Sequence, residues 1–269
     1  MNTGPLLRLV GVSVRFGRQT VLSNVHLDVY PGETLALIGE SGCGKSVTLK
    51  LIVGLLTPDE GDVYFEGRKL SELNETELTA MRLRVGFLFQ GSALFDSLNV
   101  FDNVAFGVRA KGGLGDTEIR ARVFEHLQEV GLSANVARKM PVELSGGMRK
   151  RVGLARAMAL QPDVMLYDEP TTGLDPIMTD VINELILRTR TLHPVTSVVV
   201  THEMRTVQKV ADRVVMLYPR ARLGASDSQV LYDGAAAGLL QATDPRVPQF
   251  VLGEARDRMS ELKAEMSGV

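Results

Sequence analysis

The chain has no tryptophan, one cysteine and only 5% aromatic residues. A lone cysteine, Cys43, excludes an intrachain disulfide, so the fold is expected to stand on burial alone in a reducing compartment. Neither sign of charge prevails. The 30 Lys and Arg face 32 Asp and Glu, a formal net charge of −2, and the basic residues are scattered, not gathered into a stripe. The electrostatic footprint of a nucleic-acid binder is therefore missing. Long apolar runs are missing too: nothing nears the roughly 18 consecutive apolar residues of a membrane-spanning helix, and the opening Met1-Asn2-Thr3-Gly4-Pro5 lacks the layout of a signal peptide. Any membrane role is expected to pass through a partner. What is present is 45% hydrophobic content over 269 residues, enough to bury a substantial core.

Residues 6–30 alternate in polarity around Gly17-Arg18-Gln19 and predict antiparallel strands. The wholly apolar run Thr34 to Ile38 predicts a buried strand, followed through a glycine-rich turn by a helix from about Lys45 to Leu55. Further strands are expected at 62–66, 85–89, 163–168, 195–201 and 213–217, with a helix over 74–82. Residues 100–160 turn mostly helical, with a Gly-rich break at 112–115, so a helical insert interrupts an α/β core. Strands alternating with helices favour a mainly parallel sheet covered on both faces. The segment from Tyr218 to Tyr232 is longer and more polar than a tight hairpin, and its sequence suggests no role. In the tail, the spacing of Ala255, Met259, Leu262 and Met266 predicts a short amphipathic helix.

Gly39-Glu40-Ser41-Gly42-Cys43-Gly44-Lys45-Ser46 matches the phosphate-loop pattern of Gly, four residues, Gly-Lys-Ser, between a strand and a helix N-terminus. A triphosphate is a dense anion. Backbone N–H groups close around it only where no Cβ intrudes, and the helix N-terminus adds positive potential. Gly39, Ser41, Gly42, Cys43, Gly44, Lys45, Ser46 and Val47 are thus the candidate nucleotide contacts. Lys45 is expected to reach the β- and γ-phosphates, one such charge pair being worth on the order of 4 kcal/mol at 4 Å and an effective dielectric near 20. Ser46 offers a hydroxyl to Mg²⁺. Cys43 has no activating neighbour in the sequence and reads as filler in the loop.

The apolar run Val164 to Tyr167 ends in Asp168-Glu169-Pro170, two carboxylates at the carboxyl end of a strand, where α/β sheets bind ligands. Asp168 is expected to hold Mg²⁺ through water and Glu169 to polarise the attacking water in line with a γ-phosphate. An ordinary acidic turn is the competing reading for the pair alone. The upstream phosphate loop decides against it.

Between these motifs stands Leu144-Ser145-Gly146-Gly147-Met148, followed by Arg149-Lys150-Arg151-Val152. This resembles the signature of the ATP-binding cassette family, and the motifs occur in the family's order over about residues 8–240. The resemblance implies a P-loop NTPase with a RecA-like parallel-sheet core, an antiparallel β edge and a helical subdomain at about 91–160. It places a nucleotide-binding domain at 1–242 and a C-terminal extension at 243–269. It also implies that Ser145, Gly146 and Gly147 of one subunit cap the ATP held by the other. Gln90 resembles the glutamine that senses Mg²⁺, Asp175 the aspartate that communicates across the dimer, His202 the switch histidine at the γ-phosphate, and Phe16 the aromatic that stacks on adenine. Two positions depart from the usual pattern, Met148 where glutamine is common and Phe16 where tyrosine is. The Arg149-Lys150-Arg151 run reads as a solvated helix face.

The stretch Phe89 to Val104, the run Gly146 to Arg151 and the late Asp244-Pro245-Arg246-Val247-Pro248-Gln249-Phe250 look most like the ATPases of Mce-associated phospholipid transporters. That likeness implies a homodimer on the cytoplasmic face of an inner membrane, beneath permease subunits and with an Mce-type lipid-binding protein in the complex. The apolar residues after Gln90 would form a groove for a partner's helix. The motor residues alone leave two other readings open, a regulatory cassette that moves no substrate and the ATPase of a small-solute importer.

Overall fold

Strands that are buried at every position sit in the middle of a sheet covered on both faces. Thr34–Ile38 (β3), Val164–Asp168 (β7) and Thr196–Val200 (β8) are of this kind in the computed structural model, which describes residues 4–224 and 226–255. They form the centre of a six-stranded sheet with Val85–Leu88 (β6), Arg213–Leu217 (β9) and Val230–Gly234 (β10), in the order β10-β9-β3-β8-β7-β6. All neighbours are parallel except β9 and β10.

A second, antiparallel sheet has the order β2-β1-β4-β5, from Leu7–Phe16 (β1), Gln19–Val29 (β2), Glu60–Phe65 (β4) and Arg68–Lys69 (β5). Helix α1 (Lys45–Ile52) shares one core with both sheets. Leu49, Leu51 and Ile52 are fully buried in the cluster that holds Leu7, Leu22, Leu35 and Leu37. Each such side chain contributes about 1.5–3 kcal/mol relative to exposure. The helix expected to run to Leu55 stops at Ile52. Gly54, at φ 67°, closes it: its amide donates to the Leu51 carbonyl at 3.0 Å and the Leu55 amide to the Lys50 carbonyl at 2.8 Å, while Arg82, at the end of α2 (Glu75–Arg82), takes up the carbonyls of Val53 at 3.2 Å and Gly54 at 2.6 Å.

The insert is formed by α3 (Val100–Lys111), α4 (Asp116–Glu129) and α5 (Gly146–Met158), whose Val104, Val108, Val123, Leu127 and Val152 lie in a common cluster. The break at 112–115 separates α3 from α4. The remaining helices are α6 (Pro176–Leu192), α7 (Met204–Val210) and α8 (Arg246–Leu252). Although α8 belongs to the expected extension, it packs on the core: Val247 is fully buried, and the Arg246 guanidinium lies 4.7 Å from the Tyr218 ring centroid. Beyond Ala255 the expected amphipathic helix lies outside the described residues.

Candidate nucleotide-binding site

The parallel register decides where the motif residues meet. Leu37 of β3 lies beside Val200 of β8, Val200 beside Asp168 of β7, and Tyr167 of β7 beside Leu88 of β6. All four strands finish at one edge, and one or two residues further on stand Gly39, His202, Glu169 and Gln90. A cleft of about 790 Å³ opens there, within the ~300–1,000 Å³ of small-molecule sites. Gly39, Ser41, Gly42, Gly44, Lys45, Ser46, Val47, Gln90, Glu169 and His202 all line it.

The loop depends on glycine at two points. Gly44 begins α1 at φ 101°, where a Cβ would come 2.4 Å from Leu22 Cδ2, and at Gly39 a Cβ would lie 2.1 Å from the Leu217 carbonyl oxygen. The loop is thereby pressed between β2 and β9. Lys45 Nζ donates to the carbonyls of Gly39 at 2.7 Å and Glu40 at 2.9 Å, which holds its charge at the loop. Cys43 is buried beneath, and burial pushes its thiol up, with Lys45 opposing; this is an inert thiol.

The 218–232 segment proves to be the brace of this loop. Gln229, almost fully buried, donates to the carbonyls of Val21 at 2.8 Å and Cys43 at 3.1 Å and accepts from the Ser23 amide at 2.9 Å. Arg222 pairs with Glu40 at 2.5 Å.

Ser46 Oγ donates to Asp168 Oδ1 at 2.9 Å. Burial pushes the Asp168 carboxyl up, and the Ser46 hydrogen bond opposes it. A hydroxyl and a carboxylate converging at the loop are the hard oxygen donors that Mg²⁺ prefers, so the residues present fit that ion.

Glu169 adopts φ 48°, a left-handed conformation that costs a non-glycine residue about 1–3 kcal/mol. Its amide and its carboxylate are both tied. Its amide donates to the Val200 carbonyl at 2.9 Å, while its Oε2 accepts from Thr172 Oγ1 at 3.1 Å and meets His202 Nδ1 at 2.8 Å. The His202 side chain is 61% exposed, so its ring faces the open cleft.

Lys150 corrects the expectation of a solvated basic face. It is buried on the same stripe of α5 as Leu154, Ala157 and Met158, and its Nζ donates to the carbonyls of Gln90 and, at 3.1 Å, of Glu169. Burial holds the ammonium below the usual lysine range, while Asp168 and Glu169 act against that. Arg149 and Arg151 are likewise tied down, to the carbonyls of Leu144 at 2.9 Å and Gly131 at 3.0 Å. The three- and four-residue spacing of 147, 150, 154, 157 and 158 carried this signal, overridden by the charge of the side chain.

Phe16 is 51% exposed at the tip of the β1-β2 hairpin, beside the cleft lining and not among its residues. Its cross-strand neighbour Gln19 is, together with Val21 and, from α8, Phe250. Ser145, Gly146, Gly147 and Asp175 also stand off the cleft. Ser145 caps α5, accepting from the Met148 amide at 3.3 Å, and Asp175 caps α6, accepting from the amides of Ile177 and Met178 at 3.0 Å. The two turns adjoin, since a Cβ on Gly147 would lie 2.7 Å from Met178 Cε.

A family model described as ABC transporter matches residues 22–172. The chain is 40% identical to the Haemophilus influenzae intermembrane phospholipid transport system ATP-binding protein MlaF, over 93% of this chain and 91% of that one. It is 39% identical to the probable ribonucleotide transport ATP-binding protein mkl of Mycobacterium leprae, over 94% of this chain and 70% of that one. Among solved structures, a dimeric post-hydrolysis state of an ATP-binding cassette bound to ADP and Pi superposes with a TM-score of 0.73 at 33% identity, covering 80% and 96% of the two chains. The phosphate loop, the paired carboxylates and these likenesses agree: the chain belongs to the ABC transporter family, as an ATP-hydrolysing subunit that powers transport.

Proposed function

We propose that two copies of this chain clasp two ATP molecules between them and drive a permease that moves phospholipid between membranes, in complex with an Mce-type lipid-binding protein. The carrying observation is the single sheet edge that gathers the phosphate loop, the Ser46–Asp168 pair and the Glu169–His202 pair. Phosphates would be held by the loop amides and Lys45. Mg²⁺, held by Ser46, Asp168 and Gln90, would offset phosphate charge. Glu169, aimed by His202 and Thr172, takes up the proton of an attacking water. Phe16 remains the adenine platform in this reading, supplied from the hairpin tip beside Gln19.

Ser145, Gly146, Gly147 and Asp175 serve the partner's nucleotide, in keeping with their place outside their own cleft. Ser145→Arg is therefore expected to stop hydrolysis while the same chain still captures ATP; equilibrium ATP binding and turnover measured on one preparation check this. Lys150 is a positioning residue, holding Gln90 and the strained Glu169 by their carbonyls. Lys150→Met is expected to lower kcat by about ten- to a hundredfold, with KM nearly unchanged and partial rescue in Lys150→Arg. Equal losses in kcat and folding stability, with no rescue by arginine, would mark it as a packing residue only.

Among the described residues no helix is long and apolar enough to cross a membrane. In this reading contact with the membrane runs through the permease, on its cytoplasmic face. The exposed Phe95 and Phe106, whose ring centroids lie 4.6 Å apart just after Gln90, offer an apolar surface to a permease helix. The lipid reading draws on the likeness to MlaF. Vesicles carrying the chain with its permease and lipid-binding partner are expected to exchange labelled phospholipid only with ATP. Steady ATP hydrolysis without lipid movement would remove the lipid reading and leave the motor standing.

A further inference from the structure

Far from the cleft, two imidazoles flank one carboxylate. His126 and Glu129 lie three residues apart on one face of α4, and His193 closes the carboxyl end of α6. His126 Nδ1 is 2.6 Å from Glu129 Oε2, His193 Nε2 is 3.2 Å from Glu129 Oε1, and one donor atom from each residue falls within 4.8 Å of the others. We propose that His126, Glu129 and His193 form a binding site for one divalent transition-metal ion of the zinc type.

Two neutral imidazoles and one carboxylate are a donor set for zinc with a fourth position left for water. Hard Mg²⁺ prefers oxygen, so the ion of the nucleotide site does not compete. Burial is graded as such a site requires: the His126 side chain is 2% exposed, Glu129 23% and His193 29%, which gives a dry floor and an open mouth. The backbone is fixed on both sides, His126 inside a helix and His193 through its amide to the Thr189 carbonyl at 2.9 Å.

With metal–ligand distances near 2.0–2.1 Å, neighbouring donors in a tetrahedron stand about 3.3 Å apart. The Glu129 Oε1–His193 Nε2 separation already meets this; the His126 Nδ1 contact, made to the other oxygen, Oε2, opens by about 0.7 Å, and the three donors, within 4.8 Å of one another, converge on one ion by side-chain rotation. Without metal, the carboxylate accepts an N–H from each ring. With metal, His126 carries its proton on Nε2, which is buried without a hydrogen-bond partner among the described residues. That nitrogen has no partner in either tautomer, so the exchange breaks no further bond. A bound ion would staple the helical insert to the far end of α6, the helix that starts at Asp175 and is about 25 Å long.

The test is metal binding by the full chain, stripped with chelator and desalted. Titration with Co²⁺ is expected to give a saturable visible absorption at one ion per chain, displaced by micromolar Zn²⁺ and not by millimolar Mg²⁺. His193→Ala and Glu129→Gln, at part-exposed positions, are expected to weaken binding by at least about tenfold. Lys45→Ala should leave it unchanged, which separates this site from the nucleotide site. Absence of saturable binding at micromolar metal, or equal binding in His193→Ala, would overturn the proposal and leave the trio as a hydrogen-bonded clasp.

Discussion

Glu169→Gln is expected to lower ATP turnover by about 10²–10⁴-fold, the usual range for losing a positioned base. ATP affinity should stay close to that of the unaltered chain. The expectation follows from where the residue sits. Its carboxylate lines the cleft without belonging to the phosphate loop, and its aim is fixed by Thr172, by His202 and by the backbone bond to Val200. Glutamine keeps the shape and one acceptor oxygen, so the hydrogen bonds that orient it survive while the proton-accepting charge is lost. With capture intact and hydrolysis blocked, the two-chain assembly should accumulate, visible as a dimer in size-exclusion chromatography with ATP. Turnover unchanged by the substitution would remove Glu169 from the chemistry.

Lys45→Ala acts at the other end of the cleft and should remove binding itself. One charge pair worth on the order of 4 kcal/mol corresponds to roughly a thousandfold in affinity. The fold should tolerate the change. Among the described residues Lys45 bonds within its own loop, to Gly39, Glu40 and the Cys43 sulfur, and that loop is held independently by Gln229 and by the Arg222–Glu40 pair. Calorimetric titration with ATP should thus show no measurable binding beside a melting temperature within a few degrees of the unaltered chain. Retained binding would mean that the loop amides alone hold the phosphates.

The contrast between these residues and the rest of the site shows what was readable in the sequence. Gly39 to Val47, Asp168 and Glu169 were legible because each follows a wholly apolar strand, and such strands fall in a parallel sheet whose carboxyl ends share an edge. Gln229 and Phe250 were not legible. They reach the loop and the cleft from the opposite end of the chain, and nothing local in their segments encodes that approach. The end of α1 was readable and missed: Gly54, in the left-handed conformation, closes the helix locally, and the distant Arg82 only takes up the carbonyls left over. Lys150 was readable and misread, its spacing stating a buried face and its charge suggesting water. Phe16 was assigned by likeness alone, and the hairpin leaves its ring outside the wall.

The shared-site geometry is tested most directly by mixing two inactive chains. Lys45→Ala and Ser145→Arg should each be inactive alone. Dimers of one with the other contain one damaged pair of elements and one intact pair, the unaltered phosphate loop facing the unaltered signature. Their mixture is expected to regain ATP hydrolysis. A mixture of the unaltered chain with the Lys45→Ala/Ser145→Arg double variant gives mixed dimers with no intact pair, and should fall below the activity of the unaltered chain diluted in buffer. If the first mixture stays inactive while the second hydrolyses as fast as its unaltered half, each chain serves its own nucleotide and the clasp between two copies is wrong.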